Sequence, residues 1–549
     1  MYLIPLPRKV TAQDGFFLVD HNTAIVLDEA QDDNVLETVK LLQREIKKVI
    51  AITLPIKKFL RSAGNLAENC IYFQYDNTDT RNEAYLLTVR PNKITVTACS
   101  NRGFLYGAAT LIQLCKISRE EIGCLDIADE PSYSNRGYML DVSRGRVPTM
   151  DTLRALVDRL ALYKINQLQL YMENCLRLDG LEEIWSQTDP FTPEEILELD
   201  RYCNIRGIEL VPCIATFGHL YDLLRSESFG KYREMDTGPG ETFTWYHRMR
   251  HHIINVSDPG SFTLIKGILD QYMPLFRSDK INICCDETFD LGKGKSASMA
   301  QKMNYAEMYL FYVNQLVEYL QSKGKEVMIW GDSGHINMPS LAIPGMIYGA
   351  GQGWNVEDDR DFIAIDRAVS VVEYEDPGEN LVGLLRELSH QDIITFKDLA
   401  FFRDYKVYNQ NYDDFGISLY EKAKEEMMQV SEDQLKTAVT RCAEIFNSLK
   451  HNNMSSYADR QEEMLEYYLA ARGVSLMQRL TLVLKEREYG QDVHPLDAPY
   501  ELAGKLEYWL MDYCNAWRTG SRESELYRIK EFVGQICSIL RKYDAKFYK

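Results

Sequence analysis

The chain has 549 residues and carries 62 Lys and Arg against 81 Asp and Glu, a formal net charge of −19. Such an acidic balance argues against nonspecific binding to nucleic acid or to an anionic membrane surface. Composition is that of an ordinary globular protein, 45% hydrophobic and 26% charged, with length enough for a large core and three or four domains at roughly 150 residues each. No run of about 18 apolar residues offers a membrane span, and MYLIPLPRKV lacks the apolar stretch of a secretory signal. Twelve cysteines show no CxxC pairing, and several, such as Cys115, Cys213, Cys284 and Cys285, sit in apolar runs. They read as free buried thiols of a reducing compartment, so a cytoplasmic location is expected.

In chain order, AIVLDE (24–29) reads as a strand, and NVLETVKLLQREIKKVI (34–50) as a helix with Val35, Val39, Leu42 and Ile46 at helical spacing. CIYFQY is a strand, EAYLLTVRPNKITVTA a hairpin turning at Pro91-Asn92, and RGFLYGAATLIQLCKI a helix. Strands and helices that do not strictly alternate predict a small α+β domain over residues 1–130.

From Gly137 the pattern changes to strict alternation. GYMLDVS is a strand, MDTLRALVDRLALYK a helix with Leu153, Leu156, Val157 and Leu160 on one face, and INQLQLYMEN the next strand. TPEEILELDRYCNIRG opens with Thr192 as N-cap, Pro193 at the first helical position and Glu195 closing a capping box; Gly207 ends it. IELVPCIAT, INICCDE and EVMIWG are further strands, separated by helices over SFTLIKGILDQYMPLF and about 299–323. Near-continuous apolar strands between helices predict a parallel sheet, and a (β/α)8-type barrel is the leading form, with catalytic groups at the carboxyl ends of its strands. After Trp354 only amphipathic helical patterns remain.

INICCDE drives an apolar strand into Asp286 and Glu287. Adjacent residues of a regular strand face opposite sides, so both acids reach one cleft only if the backbone leaves strand geometry there. Two close carboxylates do not ionise together easily, and one is expected to have a raised pKa and to serve as an acid.

These residues also carry a resemblance. DIADEPSYSNRGYMLDVSRGRVPTMDTLRALVDRLALYKINQLQLYMEN, VPCIATFGH and INICCDE, in that order, resemble the first strands of glycoside hydrolase family 20, the β-N-acetylhexosaminidases, and EAYLLTVRPNKITVTACSNRGFLYGAATLIQL is similar to the family's small α+β domain. The likeness covers about residues 1–335. It implies exo-acting removal of terminal GlcNAc or GalNAc by substrate-assisted retaining catalysis, an exception to the usual two-carboxylate scheme. Glu287 would then be acid and base, and Asp286 would orient the substrate acetamide. Arg136 matches the arginine that holds sugar hydroxyls, His219 the histidine after the third strand, and Glu173 the acid at the second strand end; Trp330 and Asp332, in WGD, match the acetamide pocket. No metal and no organic cofactor is implied. The expected partner is a substrate bearing a terminal N-acetylhexosamine, with no nucleic acid and no membrane.

The chain departs from the family pattern in MIWGDSGHINMPSLAIPGMIYGAGQGW, which reads as one WGD motif joined directly to a later one. The barrel is therefore expected to be short of a β/α segment near 332, with about six strands at 138–143, 166–172, 208–215, 281–286, 326–331 and 345–350. It would occupy 131–385, followed by a helical region over 386–549 that packs on the barrel or on a second subunit of a homodimer. A second reading is a degenerate member that binds amino sugars or a protein partner without hydrolysis. GKGKS (292–296) is not a phosphate loop, because Phe289 stands where that motif needs Gly, and His247, His251 and His252 read as a solvated basic turn.

Overall fold

The computed structural model describes residues 2–29, 33–60, 68–186, 188–236, 252–330, 339–408, 414–455 and 461–545. A seven-stranded sheet opens the chain: β1 (Lys9–Leu18), β2 (Ala24–Asp28), β3 (Ile56–Phe59), β4 (Cys70–Tyr75), β5 (Tyr85–Arg90), β6 (Lys93–Ala98) and β7 (Glu121–Asp129), in the order β1-β7-β5-β6-β4-β2-β3. The hairpin at Pro91-Asn92 pairs Arg90 with Lys93. Helices α1 (Asp33–Ile50) and α2 (Asn101–Ser118) pack together beside this sheet.

The second sheet is parallel and has five strands, β12-β11-β10-β9-β8 in spatial order: β8 (Gly137–Asp141), β9 (Gln167–Met172), β10 (Glu209–Ile214), β11 (Lys280–Asn282) and β12 (Glu326–Met328). Its connecting helices are α3 (Met150–Leu162), α4 (Pro193–Ile205), α5 (Pro259–Tyr272) and α6 (Tyr305–Ser322). Helix α4 begins on Thr192 with a reciprocal Thr192–Glu195 capping box, and Gly207 follows it at φ +67°.

The sixth expected strand is a correction. Residues 345–350 lie inside helix α7 (Pro339–Trp354). Ile343, Met346, Ile347, Ala350 and Trp354 are its buried apolar side chains, at the i, i+3, i+4, i+7, i+11 spacing of one helical face. Among the described residues the sheet therefore has five strands and two open edges, β8 and β12, rather than a closed barrel.

The remainder is helical: α8 (Phe362–Val372), α9 (Leu381–Ser389), α10 (Phe396–Tyr408), α11 (Asp414–Gln429), α12 (Glu432–Ser455), α13 (Gln461–Arg487), α14 (Pro499–Gly520) and α15 (Leu526–Ala545). None of the described helices is long and apolar enough to cross a membrane. The region joins the second sheet near the carboxyl end of β8: Arg146 is ion-paired to Glu466, and its guanidinium lies over Tyr513 and Trp517, 5.2 and 5.5 Å from their ring centres.

Candidate active site

The parallel register aligns Asp141, Tyr171, Cys213 and Asn282 in one layer across β8 to β11, so the residues just beyond it crowd at the carboxyl ends of the strands. Strand β11 stops at Asn282, and the chain then turns into the left-handed region at Cys284 (φ +61°), Cys285 (φ +65°) and Glu287 (φ +50°). This is the departure from strand geometry that two adjacent acids need to share a cleft. Left-handed backbone is costly for residues bearing a Cβ, and the turn is tied down. Cys284 N donates to Asn282 Oδ1 at 2.9 Å, Thr216 Oγ1 to the Ile283 carbonyl at 2.7 Å, Trp330 N to the Cys284 carbonyl at 2.9 Å and Tyr309 OH to the Cys285 carbonyl at 3.0 Å. Gly218 is required by close approach, since a Cβ there would stand 2.4 Å from the Asp286 carbonyl oxygen.

His219, itself at φ +57°, closes the constellation. Its Nε2 is 3.3 Å from Asp286 Oδ2 and 3.3 Å from Glu287 Oε2. The Asp286 side chain is 7% exposed and that of Glu287 31%, so the first is enclosed and the second faces the opening. Burial alone would raise the Asp286 carboxyl; the hydrogen bond and charge of His219, with Arg144 farther off, outweigh it and hold its pKa below the usual carboxylate value. Burial likewise works against a charged His219, but the hydrogen bond to Asp286 and the negative charge of Glu173 win and raise its pKa.

The signs fix an expected pH behaviour. Stabilisation from His219 is full below its ordinary pKa of 6.5 and fades as pH rises through the raised folded value; that from Asp286 is full above 3.8 and fades as pH falls through the depressed one. Imidazole NMR should therefore find His219 titrating above 6.5, and Asp286→Asn should bring it down. Titration of the wild-type ring below its ordinary value would contradict this geometry.

Glu173 stands beside the pair, at the end of β9. It accepts from Tyr171 OH at 2.9 Å and lies 3.3 Å from Arg144 Nε. Asp141 turns the Arg144 side chain inward, accepting from its Nε at 2.8 Å and from its backbone N at 3.1 Å, and the guanidinium rests over the Tyr171 ring at 4.8 Å. Trp330 packs beneath, against Tyr171, Cys213 and Cys284, and its buried Nε1 has no partner among the described residues. Asp332 lies outside the described residues, as do His247 and His251; His252 packs edge-on against Tyr221 with ring centres 4.2 Å apart.

Arg136 is a correction. It precedes β8, at the amino end of the sheet, one strand length from the acids. Its side chain is 2% exposed and donates to Glu83 Oε2, Tyr106 OH and the Lys164 and Tyr133 carbonyls. It is consumed in joining the two sheets. The arginine at the site is Arg144, eight residues on in the same RGYMLDVSR stretch. The rule that barrel chemistry gathers at carboxyl strand ends selects Arg144, because it follows the strand and Arg136 precedes it.

A parallel α/β sheet with enclosed acid, open acid and imidazole at its carboxyl ends defines the general class of barrel-type acid–base enzymes. The sequence comparisons narrow the class. Residues 1–130 match the family model for glycosyl hydrolase family 20, domain 2, and residues 133–355 that for the glycosyl hydrolase family 20 catalytic domain. The chain belongs to glycosyl hydrolase family 20. It is 24% identical over 366 residues to a beta-hexosaminidase of Porphyromonas gingivalis, covering 60% of this chain and 45% of that one. It is 35% identical over 158 residues to a beta-hexosaminidase of Akkermansia muciniphila, covering 25% and 32%. The chain spans about half the length, or less, of these curated relatives. Among solved structures, the chitobiase of Flavobacterium johnsoniae is similar in fold over 98% of this chain and 99% of its own, with TM-score 0.58 and 17% identity. That likeness runs through the helical C-terminal region.

Proposed function

We propose that this chain is an exo-acting β-N-acetylhexosaminidase that cleaves terminal β-linked GlcNAc or GalNAc by substrate-assisted retaining catalysis. The observation that carries the reading is the turn that brings Asp286 and Glu287 onto one imidazole, with Asp286 enclosed and held ionised and Glu287 open to the cleft. In this mechanism the substrate's acetamido oxygen attacks the anomeric carbon and the glycosidic bond breaks. Glu287 gives its proton to the departing oxygen. Asp286, as a carboxylate, receives the acetamide N–H and balances the charge that grows on it. Glu287 then takes a proton from the water that opens the cyclic intermediate. His219 keeps the two carboxylates at fixed separation, and Trp330 offers its flat face to the acetamide pocket. Arg144, aimed by Asp141 and Glu173, is proposed for the sugar hydroxyls in place of Arg136; a guanidinium fork suits paired hydroxyls.

The test compares aryl β-N-acetylglucosaminide with aryl β-glucoside, which lacks the acetamide. Turnover of the first alone, with a β-configured first product, is the expected result. Equal turnover of both would sink the substrate-assisted scheme. The open five-stranded sheet favours the second reading, a family member that binds amino sugars or a partner without cleaving them; binding of N-acetylglucosamine with no turnover would select it. We also propose a cytoplasmic location, supported by twelve free cysteines, eleven of them buried.

A further inference from the structure

The GKGKS stretch wraps its backbone around one buried side chain. Glu234, 1% exposed, belongs to the long excursion between β10 and α5. Its carboxylate accepts from Gly294 N at 2.9 Å, from Ser296 N at 3.1 Å and from Ser296 Oγ at 2.6 Å. Its own carbonyl accepts from Lys295 N at 3.0 Å. A Cβ at Gly294 would stand 2.1 Å from that carbonyl oxygen, so the two segments meet backbone to backbone. Three consecutive N–H groups are thus taken up by one residue, those of Gly294 and Ser296 by its carboxylate and that of Lys295 by its carbonyl.

The loop so held begins at the acids. Leu291 N donates to the Thr288 carbonyl at 3.2 Å, and Gly292 N to Ser296 Oγ at 3.1 Å, the same hydroxyl that donates to Glu234. Tyr305 OH lies 2.6 Å from Thr288 Oγ1. On the upstream side the left-handed turn is fixed by Thr216, Tyr309 and Trp330. Strained backbone persists only where its surroundings over-determine it, and the downstream fastening of Glu287 (φ +50°) is this loop.

We propose that Glu234 is a positioning residue for Glu287, acting through the 288–296 loop to hold the proton donor over the glycosidic oxygen. The inference rests on the hydrolase reading above. Its signature lies in the leaving group. An alcohol or weakly acidic phenol needs the proton of Glu287 in order to depart; dinitrophenolate does not. A displaced donor therefore slows cleavage of the first kind and spares the second, whereas a generally loosened site slows both.

The experiment measures kcat/KM for β-N-acetylglucosaminides of dinitrophenol and of a weakly acidic phenol in the full chain, with a melting curve for each variant. Glu234→Ala is expected to lower the weakly acidic substrate about 100-fold, the scale of an ångström-sized misplacement, and to leave the dinitrophenyl substrate within roughly threefold. Glu234→Gln, which keeps one acceptor oxygen, should recover part of the loss. Ser296→Ala should give the same unequal pattern at about tenfold, and it decides the matter if Glu234→Ala does not fold. Equal losses on both substrates, or no loss on either, would overturn the proposal. A wild-type chain inactive on both substrates would overturn the hydrolase reading and this inference together, an outcome distinct from any change confined to the variants.

Discussion

Replacing Glu287 with Gln should lower kcat/KM for a weakly acidic aryl β-N-acetylglucosaminide by a factor of about 100 to 10,000, the usual contribution of a positioned general acid and base. That range equals about 3–5 kcal/mol of lost transition-state stabilisation. The substitution keeps the side chain's shape and can keep its contact with His219, 3.3 Å away, so the loss measures proton transfer rather than collapse of the turn. Among the described residues no other group of the cluster is placed to replace it. Asp286 is enclosed and its pKa is held below the usual carboxylate value, and the His219 Nε2 lies 3.3 Å from both carboxylates rather than at the opening. A dinitrophenyl leaving group should restore much of the cleavage rate. Full activity of the Gln variant on the weakly acidic substrate would remove Glu287 from the reaction.

The largest expected effect on stability is at Asp129, far from the chemistry. It ends β7 and accepts from Lys164 Nζ at 3.0 Å, Tyr85 OH at 2.7 Å and Trp354 Nε1 at 3.0 Å. Lys164 and Asp129 both have fully buried side chains, and the ammonium lies 4.2 Å from the centre of the Trp354 ring. Asp129→Ala leaves that ammonium without its counter-charge in the interior, which costs about 3–5 kcal/mol. Burial already lowers the pKa of Lys164, and loss of the carboxylate that opposes this would lower it further. Denaturant unfolding should register the loss, and Asp129→Ala combined with Lys164→Met should regain most of it, since an uncharged pair has nothing to desolvate. A single variant as stable as the parent would show that the pair is not an energetic joint between the sheets.

Where helix and strand patterns are driven by burial they were legible in the sequence, down to the Thr192–Glu195 capping box and the end of α6 at Gly324. Strand β1 was not. It lies on an edge and nearly all of its residues face solvent, so no alternation marks it. Residues 345–350 were read through family resemblance, although the spacing of Ile343, Ile347, Ala350 and Trp354 is helical. At the site, Asp286, Glu287, His219 and Glu173 do converge. Arg136 and Arg144 share one motif, and a motif names residues without saying which end of the strand they occupy. Asp141 and Glu234 gave no signal of their own: one matters by aiming Arg144, the other by accepting from the Gly294 and Ser296 amides, and neither relation follows from spacing along the chain.

The partners described for His219, Asp286 and Glu287 all lie between Arg144 and Trp330. The consequence is vectorial. Chains emerge from the ribosome amino end first, and domains generally fold as units in that order. The four strands β8 to β11 and their acid pair thus leave the ribosome while the α7–α15 helices, several of which share their core, are still unsynthesised. The later helices complete that core and add contacts such as Arg146 against Tyr513 and Trp517. Changes in the last third of the chain can then alter its yield and lifetime while leaving the chemistry of each surviving molecule intact.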